Sequence, residues 1–230
     1  MKRLNNRLRV AELADVSARL VEIYKSETSL AEDSFFKPLF DQIKEQALAL
    51  SIAIKKENAI SKLEELDEQR DNTIRDLKNA LVGYASLRTA EIRESAEQLL
   101  TIFERYGLKV IRENYASQSG HIDSMLRDFS TESALALVEK LAGVKEILEE
   151  LQERQTTFNT ERMAYEKSLS ELGATPSASS LKKPLLDLLN VKLMNYLIAT
   201  KEVGKHQSFA ATVAQVFNEM NETIARRSKK

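Results

Sequence analysis

The sequence predicts an all-α protein, an elongated multi-helix bundle built on two long antiparallel helices in a single domain over residues 1–230. Three observations predict it. Apolar residues at Phe36, Phe40, Ile43, Ala47, Leu50 and Ile54 recur in steps of four and three, the spacing that keeps one helix face oily. After Ile54 the stripe shifts phase and resumes at Ile60, Leu63, Ile74, Leu77, Leu81 and Tyr84. No proline or glycine interrupts Leu39 to Val82, so a helix from Phe36 to Tyr84 would run roughly 70 Å at about 1.5 Å per residue. A comparable stripe, Leu141, Val144, Leu148, Leu151, Gln155, Phe158, Arg162, Tyr165 and Leu169, predicts a second long helix from about Glu132 to Leu172. Finally, three prolines and six glycines are too few for the many turns of a β-sandwich or barrel.

The shorter elements follow in order. Residues from about Asn6 to Lys25 form a helix with Leu13, Val16, Leu20 and Ile23 on one face, and Ser26 to Ser34 is a polar link. Pro38 sits early enough in the long helix to need no backbone donor, so it marks a start. That helix ends near Gly83 to Ser86. Thr89 caps a third helix with Ile92, Ala96, Leu99, Phe103, Tyr106 and Val110 inward, which Gly107 bends or frays before it reaches about Tyr115. A short helix from about Ser119 to Asp128 turns Ile122, Met125 and Phe129 inward, and Ser130 or Thr131 caps the second long helix. Gly173 stops that helix, and Thr175 to Ser180 is the clearest loop. A helix from about Leu181 to Glu202 is apolar on more than one face, as expected of a helix packed between others. Gly204 to Gln207 makes a turn, and a last helix carries Phe209, Val213, Val216, Phe217, Met220 and Ile224.

Composition narrows the function. With 43% hydrophobic and 30% charged residues the chain resembles a helix-rich globular protein rather than a disordered one. A net charge of −1 gives no global field to steer nucleic acid. The basic ends, Lys2, Arg3, Arg7, Arg9 and Arg226, Arg227, Lys229, Lys230, suit solubility better than phosphate binding, because no aromatic residues interleave with them. There is no cysteine, so disulfides and thiolate metal sites are excluded. The basic residues near Met1 lead into no unbroken apolar core, and no apolar run approaches the ~20 residues of a membrane span. A soluble cytoplasmic protein is expected.

The long helices carry polar residues where apolar ones are due. Arg70 and Asp71 both lie one turn from Asp67, with Gln155 and Arg162 on the facing stripe. One reading is a half-buried ion-pair and hydrogen-bond network that fixes helix register. The other is a polar seam in which arginine forks hold a small anion. Catalysis has little support: His121 and His206 lack the neighbours of a metal-binding bundle, and each is expected to be a lone surface histidine. No nucleophile motif occurs, and the glycines form no phosphate loop. No catalytic residue, metal or cofactor is therefore expected.

At Leu63-x2-Leu66-Asp67-x2-Arg70-Asp71 the sequence resembles an uncharacterised all-helical family of about this length from Bacteroidetes, a domain of unknown function. Phe103-x2-Tyr106-Gly107, Leu151-x3-Gln155-x2-Phe158 and Phe209 to Asn218 extend the resemblance over nearly the whole chain. It implies a single helical bundle in bacterial cytoplasm and brings no activity or cofactor. The expected role is a non-enzymatic interaction or scaffold module with a protein partner or self-association. The alternative is a small-anion binder using the polar seam.

Overall fold

Every regular element among the described residues, 1–172 and 176–228 of the computed structural model, is helical. They fall into two compact units: Met1–Asn58 with Leu169–Lys230, and Ala59–Ser168.

In the first unit, α1 (Val10–Ser26), the opening stretch of α2 (Phe36–Ala85), α7 (Ala178–Asp187), α8 (Met194–Thr200) and α9 (Gly204–Arg227) enclose one core. Leu13, Val16, Leu20, Ile43, Leu50, Leu189, Val213 and Phe217 are buried in it. Aromatic rings close one part of the core: Tyr24 stacks on Phe40 at 4.2 Å, and Phe209 meets Phe36 edge-on at 5.3 Å. Between α7 and α8 the helix widens into a π segment, Leu188–Leu193, that carries Asn190. The Asn190 amide grips the backbone of Leu4, accepting from its N–H at 2.8 Å and donating to its carbonyl at 2.9 Å. That grip holds Leu4 in the core before α1 begins.

The second unit contains the rest of α2, α3 (Ala90–Glu104), a 3₁₀ turn (Leu108–Arg112), α4 (Tyr115–Phe129), α5 (Glu132–Val138) and most of α6 (Val144–Leu172). Its core includes Ile74, Leu77, Leu81, Leu99, Phe103, Val110, Ile122, Met125, Val144 and Leu151. The two longest helices are α2, with 50 residues, and α6, with 29, so the expected long elements are present.

Several boundaries differ from the sequence expectation, those around α3 to α7 for local reasons. The third helix does not run to Tyr115: it ends at Glu104, because Gly107 adopts φ 62°, ψ 179°, a conformation essentially reserved for glycine. Asn114 then starts α4 four residues earlier than expected, its side chain accepting from the N–H groups of Ala116 and Ser117. Gly143, at φ 84°, divides the predicted helix from Glu132 to Leu172 into α5 and α6. Ser177 caps α7 through Ser180 N–H, so helix occupies Ala178 to Ser180, where a loop was expected. The last helix begins at Gly204 rather than after Gln207, and the first begins at Val10 rather than Asn6. The expected stop at Gly173, the loop's first residue Thr175, and Lys229 and Lys230 lie outside the described residues.

Candidate functional site

The polar residues of α2 and α6 meet in the second unit around Arg70, whose side chain is 0% exposed. Arg70 has four terminal N–H groups, and each has an acceptor. Nη1 donates to Gln155 Oε1 at 2.8 Å and to Ser119 Oγ at 3.1 Å. Nη2 donates to Asp67 Oδ1 at 2.7 Å and to Gln118 Oε1 at 3.0 Å. The guanidinium carbon lies 3.4 Å from the centroid of the Phe158 ring, close enough for a cation–π contact. Only Nε, also buried, lacks a partner.

The two glutamines carry the network outward. Gln118 donates its amide to Asp71 Oδ1 at 2.7 Å, and Gln155 donates to Asp123 Oδ1 at 2.9 Å and to the Ser119 carbonyl at 3.2 Å. One buried cation is thus bonded directly to Asp67 and through amides to Asp71 and Asp123. Burial pushes the Arg70 pKa down, and the hydrogen bond and charge of Asp67, with the charge of Asp71, act against it. Arginine starts so high that Arg70 stays cationic at neutral pH. Burial, followed by the charge of Asp67, pushes the Asp71 carboxyl up, against the pull of Arg75 at 3.5 Å. Burial also raises the Tyr115 phenol, with Asp67 and Glu64 adding to it; its ring meets Phe158 edge-on at 5.0 Å.

Of the residues singled out from the sequence, Asp67, Arg70 and Gln155 bond directly, and Asp71 joins through Gln118. Arg162 does not join. It is half-buried and turns along its own helix to Glu166, at 2.8 Å. Gln118, Ser119 and Asp123 were not anticipated. They lie on α4, and the helix expected from Ser119 begins one residue too late to include Gln118. A neighbouring cation, Arg154, ties α6 to α2 by donating to the Gln69 carbonyl at 2.5 Å and to Thr73 Oγ1 at 2.8 Å, and it also pairs with Glu150.

A second polar cluster lies in the first unit. Asp33 Oδ1 accepts from the N–H groups of Phe35 and Phe36 at 3.0 and 3.2 Å, capping α2. Its Oδ2 meets His206 Nε2 at 3.1 Å and Lys205 Nζ at 3.4 Å. Burial pushes Asp33 up, yet these four hydrogen bonds together outweigh it and leave the carboxyl below its usual range. His206 is not the surface histidine expected from sequence. It is buried beside Phe36 and Tyr196, and its Nδ1 has no partner. His121 is partly exposed, but it is not alone, since Nδ1 lies 2.7 Å from Glu113. The basic ends are also partly engaged: Arg227 bonds Glu12 at 2.5 Å and the Arg7 carbonyl at 3.0 Å.

No group of three or more His, Cys, Asp or Glu suited to a metal ion occurs among the described residues. No described helix is long and apolar enough to cross a membrane. Beside α4, α5 and α6 the second unit has an open hollow of about 400 Å³, walled by Leu126, Phe129, Leu135, Val138 and Leu148. Glu149, Gln152 and Glu153 form part of its rim, together with Lys145, which is paired with Glu139 at 3.4 Å.

Fold and site together define an all-helical protein with a buried arginine tied into one of its two compact units. The chain belongs to DUF6261, a family of unknown function, whose pattern matches residues 60–220. No curated protein and no solved structure matches it.

Proposed function

We propose that this protein is a non-enzymatic interaction module that docks an amphipathic, basic helix of a protein partner into the hollow beside α4, α5 and α6. One observation carries the reading: the hollow has a buried apolar floor of Leu126, Phe129 and Val138 and opens at Leu135, which is 46% exposed, under a rim where Glu149 and Glu153 have no cationic partner among the described residues. Apolar anchors on the partner would fill the walls, and flanking lysine or arginine would answer the rim. A second copy presenting the same face would bring like charges together, which disfavours a symmetric self-dimer.

The alternative, an anion held by the polar seam, has less support, because all four terminal N–H groups of Arg70 already have protein acceptors. In this proposal the seam fixes register between the long helices, which run antiparallel. The falling order of the partners supports that direction: Lys62 meets Glu161, Arg70 meets Gln155, and Tyr84 bonds the Ala142 carbonyl. The setting we propose is the bacterial cytoplasm.

The test is fluorescence anisotropy with a labelled helical peptide bearing leucines at i, i+3, i+4 and i+7 and lysines beside them. We expect saturable binding that weakens about tenfold or more in Glu149→Lys/Glu153→Lys and in Leu135→Asp. Equal binding of a twin peptide with glutamate in place of lysine would refute the charge argument. No binding at about 1 mM would refute the docking site.

A further inference from the structure

We propose that Arg75, Lys109 and Arg112 form a binding site for an organic phosphate, a phosphate group carried on an apolar body. The inference stands apart from the docking hollow and rests on the 3₁₀ turn between α3 and α4. Gly107 redirects the chain, Asn114 caps α4, and the residues between them close into the turn Leu108–Arg112. Val110 is buried in the core and pins the turn in place.

In a 3₁₀ helix, side chains three apart are eclipsed. Leu108 therefore stands in line with Ile111, and Lys109 with Arg112, giving an apolar ridge beside a cationic one. Arg75, on α2, joins these four residues around a hollow of about 530 Å³ that no carboxylate lines. Arg75 is steadied from behind by Asn72 Oδ1 at 2.9 Å and Asp71 Oδ2 at 3.5 Å. Lys109 and Arg112 are exposed and bond to no described side chain, so their donors are free for a ligand.

Lys109 and Arg112, unpaired among the described residues, supply two positive charges that suit a dianion better than a single carboxylate. Arg75 adds donors although its charge is shared with Asp71, and guanidinium forks match phosphate oxygens in pairs. The Leu108–Ile111 ridge is what separates an organic phosphate from the inorganic ion. An apolar body has a surface to cover there, whereas inorganic phosphate would leave it wet. A soluble organic phosphate and a phospholipid headgroup share this chemistry.

Calorimetric titration of the full chain with 1-naphthyl phosphate, beside inorganic phosphate and 1-naphthol, tests the site. A parallel arm measures sedimentation with phosphatidylcholine vesicles with and without phosphatidic acid. We expect naphthyl phosphate to bind with a Kd of about 1 mM or tighter, at least about tenfold better than inorganic phosphate. Lys109→Glu/Arg112→Glu should weaken it about tenfold or more with unchanged circular dichroism, since both side chains are exposed. Leu108→Ser should remove the preference for naphthyl over inorganic phosphate. Binding to the soluble ligand assigns a free organic phosphate, and binding only to phosphatidic acid vesicles assigns a lipid, provided the double variant loses it. Absence of binding in both arms, or binding that the folded double variant retains, overturns the proposal.

Discussion

Replacing Arg70 by alanine should destabilise the protein by about 3–5 kcal/mol, the usual cost of breaking a buried ion pair from one side. The structure supports that range over the value below about 1 kcal/mol for an exposed pair. Arg70 is fully buried, and its removal strands Gln118 Oε1, Gln155 Oε1 and Ser119 Oγ as well as Asp67. Each stranded buried acceptor costs about 1–3 kcal/mol, although relaxation keeps the sum from being additive. The cation–π contact with Phe158 is lost too. Arg162→Ala, which removes a partly exposed i,i+4 pair with Glu166, should cost about 1 kcal/mol or less and serves as the internal control. Leucine at both 67 and 70 should recover only part of the loss, because three of the acceptors belong to α4 and α6 rather than to α2. Urea denaturation followed by circular dichroism reads all four proteins. An Arg70→Ala cost no larger than that of Arg162→Ala would refute the buried-register reasoning.

Other substitutions probe the rest of the structure. The Asp71 carboxyl is raised in the fold, so its favourable contribution is present at acid pH and is lost as pH rises from about 3.9 through the folded value. Asp71→Asn should flatten that fall in urea midpoint; a steeper fall would contradict the assignment. Asp33 is lowered, so its contribution is present above about pH 3.9 and is lost as pH falls through the folded value. Asp33→Ala should cost at least about 1–2 kcal/mol at neutral pH as a lost cap, with the deficit shrinking in acid; a deficit constant with pH would count against it. Gly120→Ala, in mid-helix with open space around the new methyl, should raise stability by about 0.5–1 kcal/mol. Gly107→Ala should lower it by about 1–3 kcal/mol because of its backbone conformation. Thermal melts check both signs.

Helix periodicity made α2 legible from Phe36 to within one residue of its end, because a regular apolar stripe without breakers has few other solutions. Arg70 and Asp67 on α2 and Gln155 on α6 were legible for the opposite reason: each interrupts the apolar stripe of its own helix. The sequence predicts a bend or frayed turn at Gly107 and no break at Gly143, because sequence does not distinguish a helical glycine from one at positive φ. Asn114 was a cap signal available in the sequence, and reading it would have placed Gln118, Ser119 and Asp123 on one helix beside the seam. Arg162 shares a face with Gln155 but lies two turns, roughly 10 Å, further along α6, and its side chain pairs with Glu166 instead. His206 had no spaced partner to announce it. Its environment comes from Asp33 and Phe36, which are about 170 residues away in sequence, and from Tyr196 on the preceding helix.

Nitrogen-15 NMR of the arginine side chains tests the closed network most directly, through the exchange of the Arg70 Nη protons with water and their response to added phosphate. Four bonded, buried donors should give resolved, slowly exchanging Nη protons whose shifts do not move with phosphate. A single averaged, rapidly exchanging signal, or a saturable shift on adding phosphate, would contradict a sealed register device and return Arg70 to the role of an anion ligand.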